Sequence, residues 1–383
     1  MTGHHRPAAR GRQHRGQRRT KALGARAIVE FEIDEHPPGR LDDPAERVSR
    51  LCRVDLSAKR LRESILAEIR TAMPFTGHVF ALTDPVTAVA SAPLADLPGL
   101  DFERLPDLIR ARYLTVLNRW DTLRGTGAHS LLGATDGDPE RSLLWRTTQR
   151  GLGVTDSAML AFADRYGRWG FLELLRFHES PFTTGELTAL GELTAPITAA
   201  LRHTVAATFI ESATRLPDLG PAVVLLDDTL RVRSQTAAAA ASLLRLLPPD
   251  EPIPPVPASV YNAGAALLAA EAGTPIGPAS ARIHLGGRRW ITVKADRIGP
   301  HDIAVALEPS TATERLDLFA RANGLSARES QVLTLLATGL DSHELAAELF
   351  LSEHTVNDHV KAILGKSGTR TRQRLLSRVL GVD

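Results

Sequence analysis

The sequence predicts a multidomain α+β protein whose chain ends in an all-α unit of four helices. Three observations support this fold class. The chain has 383 residues, which is more than one ordinary hydrophobic core accommodates. Strand-like and helical patterns alternate between residues 55 and 310, whereas only helical patterns follow residue 311. Turns that contain glycine or proline separate these patterns, as they do in compact domains.

The first 26 residues are strongly basic. Residues 1–26 hold eight arginines or lysines and no acidic side chain, whereas the whole chain carries a formal charge of only +2. The rest of the chain is therefore net acidic. Because few apolar side chains offset the entropy of ordering, we predict a disordered basic arm at residues 1–26, which adds at most nonspecific attraction to phosphates.

Composition excludes several classes of protein. The single cysteine, Cys52, excludes an internal disulfide framework and any zinc site built from several cysteines. No apolar run approaches the ~18 residues of a transmembrane helix, and none follows the basic start as in a secretory signal. We therefore expect a cytoplasmic protein that makes no membrane contact.

Residues 55–210 show the order helix, strands, helix, hairpin, helix. Apolar residues at spacing four predict the first helix, and Thr183 with Glu186 has the capping-box spacing that begins the last. Between them we predict strands at 77–84 and 87–91, a helix at 103–119, a loop at 124–141 and a hairpin at 157–177. This order resembles a GAF domain, an α/β sensor module with a pocket between its sheet and the covering helices. The resemblance implies a small-molecule ligand, which no residue pattern identifies.

Residues 218–310 predict a second, α+β unit. The patterns are a strand, a turn at Asp227 and Asp228, a second strand, two helices and a three-stranded meander. The helices are predicted at 235–247 and 258–271, with a proline-rich loop at 248–257. This order resembles a PAS domain. The first strand is also similar to that of a phosphorylated receiver domain, but a hairpin follows it here, which favours two turn aspartates.

Residues 311–323 predict a linker helix, and residues 324–383 predict four further helices. Side chains that cap helices mark the four starts, at Ser326, Asp341, Ser352 and Thr371. Ser326 and Asp341 are each followed three residues later by a glutamate, which is the spacing of a capping box. The short second helix, the tight turn and the third helix predict a helix-turn-helix, whose later helix enters the major groove of DNA.

The outward face of the third helix carries the polar side chains of His354, Asn357, Asp358 and Lys361. Residues 355–383 contain six basic and two acidic side chains, as expected for a surface that faces phosphates. The alternative interpretation of this segment is a solvated amphipathic bundle that binds other proteins.

The same segment closely resembles the LuxR/GerE family of DNA-binding domains. The matching residues are Leu325, Ser326, Arg328, Glu329, Val332, Leu333, Leu336, Ala337, Gly339, Glu344, Leu345, Ala346, Leu349, Ser352, Glu353, Thr355, Val356, His359, Val360, Lys366 and Arg372. The resemblance implies a four-helix LuxR-type domain whose third helix reads bases and whose fourth helix supports dimerisation. It implies that Thr355 contacts phosphate, while Asn357, Asp358 and Lys361 face base edges. Asn357 stands where the family usually has a basic residue, and asparagine reads adenine with both its amide atoms.

The charge pattern and the resemblance together give a set of predicted DNA-binding residues. They are Ser342, His354, Thr355, Asn357, Asp358, Lys361, Lys366 and Arg372. We expect no enzyme and no cofactor, because the chain has no phosphate-binding loop, nucleophile elbow or zinc-protease motif. His178 and Glu179 are expected to be a surface polar pair rather than a metal or acid–base site.

The predicted function is that of a sequence-specific, DNA-binding transcription regulator whose sensor-like domains modulate the helix-turn-helix through the linker helix. Its expected partners are double-stranded DNA, a second copy of the chain, RNA polymerase and an unidentified small molecule. One alternative is a constitutive DNA binder whose front domains serve only dimerisation or protein docking. Another is a sigma-factor-like subunit, which the mixed strand and helix patterns of residues 77–309 disfavour.

Overall fold

Two five-stranded antiparallel sheets and a C-terminal helical bundle make up the described part of the chain. The computed structural model describes residues 44–123, 125, 127–211, 220–246 and 258–381, which belong to one compact unit. The basic arm predicted at 1–26 and the proline-rich loop predicted at 248–257 lie outside these residues. Among the described residues, no helix has the length and apolar character needed to cross a lipid bilayer.

The first sheet lies within the unit predicted at residues 55–210. Its strands are β1 (Gly77–Thr83), β2 (Ala90–Asp96), β3 (Ala128–Ser130), β4 (Val154–Asp164) and β5 (Gly167–Phe177). They are arranged in the order β2-β1-β5-β4-β3, and all neighbouring strands are antiparallel. β4 and β5 confirm the predicted hairpin, whose turn is formed by Arg165 and Tyr166.

Helices cover both faces of the first sheet. They are α1 (Pro44–Leu51), α2 (Ala58–Ala72), α3 (Leu105–Leu114), α4 (Leu131–Ala134), α5 (Arg150–Leu152), α6 (Thr184–Glu192) and α7 (Thr194–Thr208), with 3-10 turns at Phe102–Arg104 and Pro139–Arg141 and a π-helix at Trp145–Gln149. α2 and α7 cover one face, where Phe80 and Ile197 are fully buried in a shared apolar cluster. On the other face, near α3, Trp120 stacks on Phe171 of β5.

Four predicted elements of this unit differ from the structure. The strand predicted at 87–91 lies instead at Ala90–Asp96, because residues 85–87 form a turn. The helix predicted at 103–119 ends at Leu114, because the next residue is already extended. The single long helix predicted from Thr183 is divided after Glu192, since Pro196 lacks the N–H that would bond to the Glu192 carbonyl. The loop predicted at 124–141 contains β3 and α4, which are too short to show a sequence period.

The second sheet confirms the element order predicted for residues 218–310. Its elements are β6 (Val223–Asp227), β7 (Val232–Gln235), α8 (Ala237–Leu246), α9 (Ala258–Glu271), β8 (Ser280–His284), β9 (Trp290–Ile298) and β10 (Asp302–Pro309). The strand order is β7-β6-β10-β9-β8. Counted along the chain, the strands of both sheets therefore lie in the order second, first, fifth, fourth, third. Asp227 accepts hydrogen bonds from Thr229 and Arg231 within the β6–β7 turn, which confirms it as a turn aspartate.

The two sheets share one continuous apolar core. α3 packs against α9, and one buried cluster extends from Val79 and Phe171 of the first sheet to Val224 and Val293 of the second. The boundary predicted between residues 210 and 218 therefore separates two sheets but not two hydrophobic cores.

The C-terminal bundle follows the second sheet. Its helices are α10 (Ala312–Ala322), α11 (Ala327–Leu336), α12 (Ser342–Leu349), α13 (Glu353–Lys366) and α14 (Arg372–Leu380). The four predicted caps are confirmed: each side chain accepts a hydrogen bond from a backbone N–H in the first turn of its helix. Apolar side chains from α10 to α14 form a third buried cluster, which holds α13 in place.

Candidate nucleic-acid interface

A tight turn joins α12 to α13, and its geometry depends on Phe350 and Leu351. Phe350 adopts the left-handed conformation (φ 55°), and Leu351 N donates to Ala346 O at 2.9 Å, which closes the end of α12. Leu345 on α12 and Val356 on α13 are both fully buried. The apolar contact between the two helices therefore fixes their crossing, and the arrangement is that of a helix-turn-helix.

α13 has a buried face and an exposed face at helical spacing. Its buried residues are Val356, Val360 and Ile363. His354, Asp358 and Lys361 are exposed on the opposite side. Within the described residues, the side chain of Lys361 takes part in no hydrogen bond or ion pair. At the start of the helix, Ser352 Oγ accepts from Thr355 N at 3.1 Å, and the two side-chain hydroxyls are 2.9 Å apart.

Ser342, Asn357 and Arg372 form a hydrogen-bonded cluster where α12, α13 and α14 meet. Arg372 Nη2 donates to Asn357 Oδ1 at 2.8 Å and to Ser342 Oγ at 2.7 Å. Ser342 Oγ in turn donates to Asn357 Oδ1 at 3.1 Å. All three side chains are half-buried. One guanidinium therefore fixes two polar side chains of the other two helices.

This cluster engages the amide oxygen of Asn357. An amide oxygen has two lone pairs, and in Asn357 both are engaged by Ser342 and Arg372. Reading adenine with both amide atoms requires a free oxygen to accept from the adenine amino group. In this arrangement Asn357 instead offers its Nδ2 donors to a partner.

Two histidine–carboxylate pairs flank the exposed face of α13. His343 Nδ1 lies 2.9 Å from Glu353 Oε1, and this hydrogen bond raises the pKa of His343 above its ordinary value. His354 Nε2 lies 3.4 Å from Asp358 Oδ2, one helical turn away. These carboxylates limit the positive charge of the surface. Besides Lys366, which pairs with Glu329, the exposed basic side chains of α13 and α14 and of the turn between them are Lys361, Arg370 and Arg374.

Lys366 contacts the interior of the bundle. Its Nζ lies 2.9 and 2.6 Å from the two carboxylate oxygens of Glu329, near the start of α11. Glu329 also accepts from Ser326 N at 2.6 Å, which completes a capping box. Burial opposes the ionisation of Glu329, but Lys366 and Ser326 more than offset it, so the pKa of Glu329 lies below its ordinary value. A phosphate contact by Lys366 would use the third N–H of an ammonium that already pairs with Glu329.

α10 connects the bundle to both sheets through charged contacts. Arg282 of β8 donates to Asp84, between β1 and β2, with Nε and Oδ2 2.7 Å apart. The same guanidinium donates from Nη1 to Asp317 Oδ2 of α10 at 2.8 Å. One turn further along α10, Arg321 Nη1 donates to Tyr166 O in the β4–β5 turn at 2.9 Å. α10 is therefore hydrogen-bonded to both sheets.

α10 also contacts the last helix of the bundle. Arg315 Nε donates to Val379 O of α14 at 2.8 Å, and Nη1 donates to Arg288 O of the β8–β9 turn at 2.8 Å. Phe319 of α10 packs edge-on against Phe209 at the end of α7, with ring centroids 5.2 Å apart. The apolar side of the linker helix, with Leu316, Leu318 and Phe319, is thus buried, and the helix contacts both sheets as well as the bundle.

The structure brings some of the predicted site residues together and separates others. Ser342, Asn357 and Arg372 are in contact, whereas Lys366 lies at the far end of α13 against α11. Arg370 and Arg374 were not predicted individually, and only the excess of basic residues in the last 29 positions signalled them. Among the described residues, no cluster of three histidine, cysteine or acidic side chains is placed to hold a metal ion.

Comparison with known proteins identifies the C-terminal bundle. Residues 323–379 match the model of the bacterial regulatory proteins, luxR family. The chain is 37% identical over 86 residues to the probable HTH-type transcriptional regulator GfsR of Streptomyces halstedii. The matched segment covers 20% of this chain and 35% of that relative. It is 37% identical over 62 residues to the transcriptional regulatory protein DesR of Bacillus subtilis, covering 16% of this chain and 31% of that relative. The chain thus spans about a third of the length of these curated relatives.

The likeness to solved structures is weaker. A crystal structure of Escherichia coli SdiA aligns over 88% of this chain and 97% of its own length, with 13% identity and a TM-score of 0.33. The family model matches the C-terminal part of the chain.

Proposed function

We propose that this chain, whose residues 323–379 form a LuxR-family helix-turn-helix domain, is a sequence-specific DNA-binding transcription regulator. The observation that carries the proposal is the exposed face of α13, where an unpaired Lys361 lies one helical turn from Asn357 and its cluster. A helix held from behind by two others and polar in front has the form that enters a major groove.

In the proposed complex, α13 lies in the major groove with its first turn near a phosphate. Thr355 is the expected phosphate contact, because the backbone N–H groups of a helix N-terminus attract anions. Asn357 offers N–H donors to a purine acceptor, and Asp358 offers an acceptor to a cytosine amino group. Lys361 supplies positive charge toward the duplex. His354 is the remaining exposed side chain of this face.

We further propose that two sensor-like units modulate this domain: a GAF-like unit at 55–210 and a PAS-like unit at 218–310. Support comes from the element order of each unit and from the contacts of α10. Arg282 joins both sheets to α10, and Arg315 joins α10 to the last helix of the bundle. A signal that favours one packing of the sheets would thereby favour one position of the DNA-binding domain.

The proposed partners follow from this function. A dimer on paired half-sites is the usual geometry for a helix-turn-helix, and the exposed Gln373 and Arg374 of α14 are available for a second copy. RNA polymerase is the further partner through which such a protein changes transcription. The protein is proposed to act in the bacterial cytoplasm, where its DNA lies.

The full-length protein can be tested directly against fragmented genomic DNA, with the retained fragments sequenced. We expect wild-type protein to enrich a short motif. Lys59→Ala, on α2 where the lysine pairs with Glu63, should enrich the same motif, whereas Lys361→Glu should lose it through repulsion of phosphates. Retention without any enriched motif would contradict sequence-specific binding.

A further inference from the structure

We infer that the first sheet contains a buried site for a small uncharged ligand that presents a hydrogen-bond acceptor. The site is formed by Arg112 and Thr115 at the end of α3, Glu173 on β5 and Gln149 of the π-helix. This inference rests on the proposed function and deepens it, because it gives a ligand class to the sensor-like unit at 55–210.

The proposed site contains a buried ion pair between Arg112 and Glu173. Arg112 Nη2 lies 2.5 Å from Glu173 Oε2, and the two side chains are only 6% and 2% exposed. Gln149 Nε2 donates to Glu173 Oε1 at 2.9 Å. The two opposite charges cancel, so a ligand that brought its own charge into this interior would remain uncompensated. The arrangement therefore favours an uncharged ligand.

Two buried groups beside this ion pair have no hydrogen-bond partner in the described part of the chain. They are Arg112 Nη1 and Thr115 Oγ1, in residues that are 5% and 3% exposed. The two residues are about one helical turn apart. Buried polar groups in proteins are nearly always paired. An oxygen atom of a ligand would accept from Arg112 and hydrogen-bond with the Thr115 hydroxyl.

A third unpartnered group lies along the same sheet face. The strand register places His129 of β3 opposite Met159 of β4, and Met159 opposite Glu173 of β5. Directly opposite residues of an antiparallel sheet share a face. His129 Nε2 is buried without a partner among the described residues. The polar groups thus line one side of the sheet from β5 toward β3.

The surroundings of the ion pair favour a ligand with a ring. The Arg112 guanidinium lies 5.6 Å from the Phe171 ring centroid, and Phe171 stacks on Trp120 with centroids 4.8 Å apart. Gln149 ends the π-helix Trp145–Gln149, a rare geometry that occurs frequently at functional sites. An aromatic amide fits these surroundings, because its ring can pack near Phe171 and its carbonyl oxygen can accept from Arg112 Nη1 and the Thr115 hydroxyl.

Three matched probes test the inference on the full-length protein: 4-fluorobenzamide, 4-fluorobenzoate and 4-fluorobenzamidine. They share one ring and differ in the charge of the head group. Binding is followed by the broadening of the fluorine resonance of each probe as protein is added. We expect 4-fluorobenzamide to bind, and each charged probe to bind at least about tenfold more weakly because its charge must be desolvated.

Thr115→Val is the decisive variant. The Thr115 hydroxyl has no partner in the described protein, so its removal should leave the circular dichroism and thermal unfolding unchanged. Binding of 4-fluorobenzamide should weaken by about threefold or more, because one hydrogen bond to the ligand is lost. Thr198→Val is the matched control: this buried hydroxyl donates to Thr194 O at 2.7 Å on α7, which covers the other face of the sheet.

Three outcomes would overturn the inference. Charged probes that bind as well as the amide would exclude the ligand class, and equal binding by wild type and Thr115→Val would exclude the site. Absence of binding by all three probes would mean that water alone satisfies the buried groups. The assay contains no DNA, so failure of this inference is distinguishable from failure of the proposed DNA binding.

Discussion

Arg282 and Asp84 form a buried ion pair between the two sheets, although 198 positions separate them in the sequence. Nε and Nη2 of Arg282 lie 2.7 and 3.0 Å from the two carboxylate oxygens of Asp84. Asp84 also accepts from Arg282 N at 3.0 Å. Desolvation opposes the ionisation of Asp84, but the bonds from Arg282 more than offset it, so the pKa of Asp84 lies below its ordinary value. The first sheet thus depends on the second to neutralise its buried carboxylate.

Arg282→Met should strongly destabilise the protein. It removes the partner of Asp84, whose side chain is 2% exposed, and an unpaired buried charge typically costs about 3–5 kcal/mol. Urea unfolding followed by circular dichroism measures the loss. Arg141→Met is the matched control, because Arg141 pairs with Asp136 at the surface, and it should change the free energy of unfolding by less than about 1 kcal/mol. Equal losses in the two variants would contradict a special role for Arg282.

Acid should weaken the same contact. The pKa of Asp84 is lower in the folded protein than the roughly 3.9 of an unfolded chain. Its pairing therefore stabilises the fold above that unfolded value, and the stabilisation is lost as the pH falls through the folded value. The free energy of unfolding should decrease below about pH 4, and Asp84→Asn should show a smaller decrease. Identical pH profiles for the two proteins would assign the acid sensitivity to other carboxylates.

Lys361→Ala should weaken DNA binding to all sequences. Fluorescence anisotropy at several salt concentrations should show that the slope of log K against log [salt] becomes shallower by about one unit, because one phosphate contact is lost. Lys59→Ala removes a partly exposed lysine of α2, which pairs with Glu63 of the same helix, and should leave the slope unchanged. A wild-type slope for Lys361→Ala would show that the lysine does not meet a phosphate.

Asn357→Ala and Arg372→Ala should have non-additive effects on stability. The two side chains share a hydrogen bond of 2.8 Å, and groups in one network usually couple by about 0.5–3 kcal/mol. A double-mutant cycle on urea unfolding measures this coupling. The exposed pair Lys361→Ala and Arg374→Ala supplies the control, for which the effects should add. Additive effects at Asn357 and Arg372 would mean that their contact contributes no stability.

Arg315→Met should change DNA affinity although Arg315 is remote from α13. It removes hydrogen bonds from α10 to Val379 O and to Arg288 O, and so loosens the attachment of the bundle to the second sheet. If the sheets modulate DNA binding, affinity should change by about threefold or more, within the usual range of couplings between sites. Limited proteolysis near residue 323 should also become faster. Faster proteolysis with unchanged affinity would favour the constitutive DNA binder.

Local features of the sequence predicted where the four helices of the C-terminal domain begin. Ser326, Asp341, Ser352 and Thr371 were identified because a capping bond joins residues only two or three positions apart. The predicted hairpin was also confirmed, because its strands are long and adjacent in sequence. The division of the long helix at Pro196 was missed, since the apolar spacing continues across the break.

Long-range contacts could not be predicted in this way. Arg282 carries no local signal that its partners are Asp84 and Asp317, because only the fold brings them together. The DNA-binding residues themselves remain a prediction. Their identities follow from the resemblance, whereas the bond that ties Asn357 to Arg372 depends on where α14 begins.

The cluster of Ser342, Asn357 and Arg372 has a consequence for how binding specificity evolves. Because the amide of Asn357 is oriented before any DNA arrives, little conformational freedom is lost there when a complex forms. A substitution of any one member changes the hydrogen bonding of the other two. A change in the DNA sequence that is recognised would therefore require substitutions on three helices together. A single substitution at this junction would weaken DNA recognition without giving a new specificity.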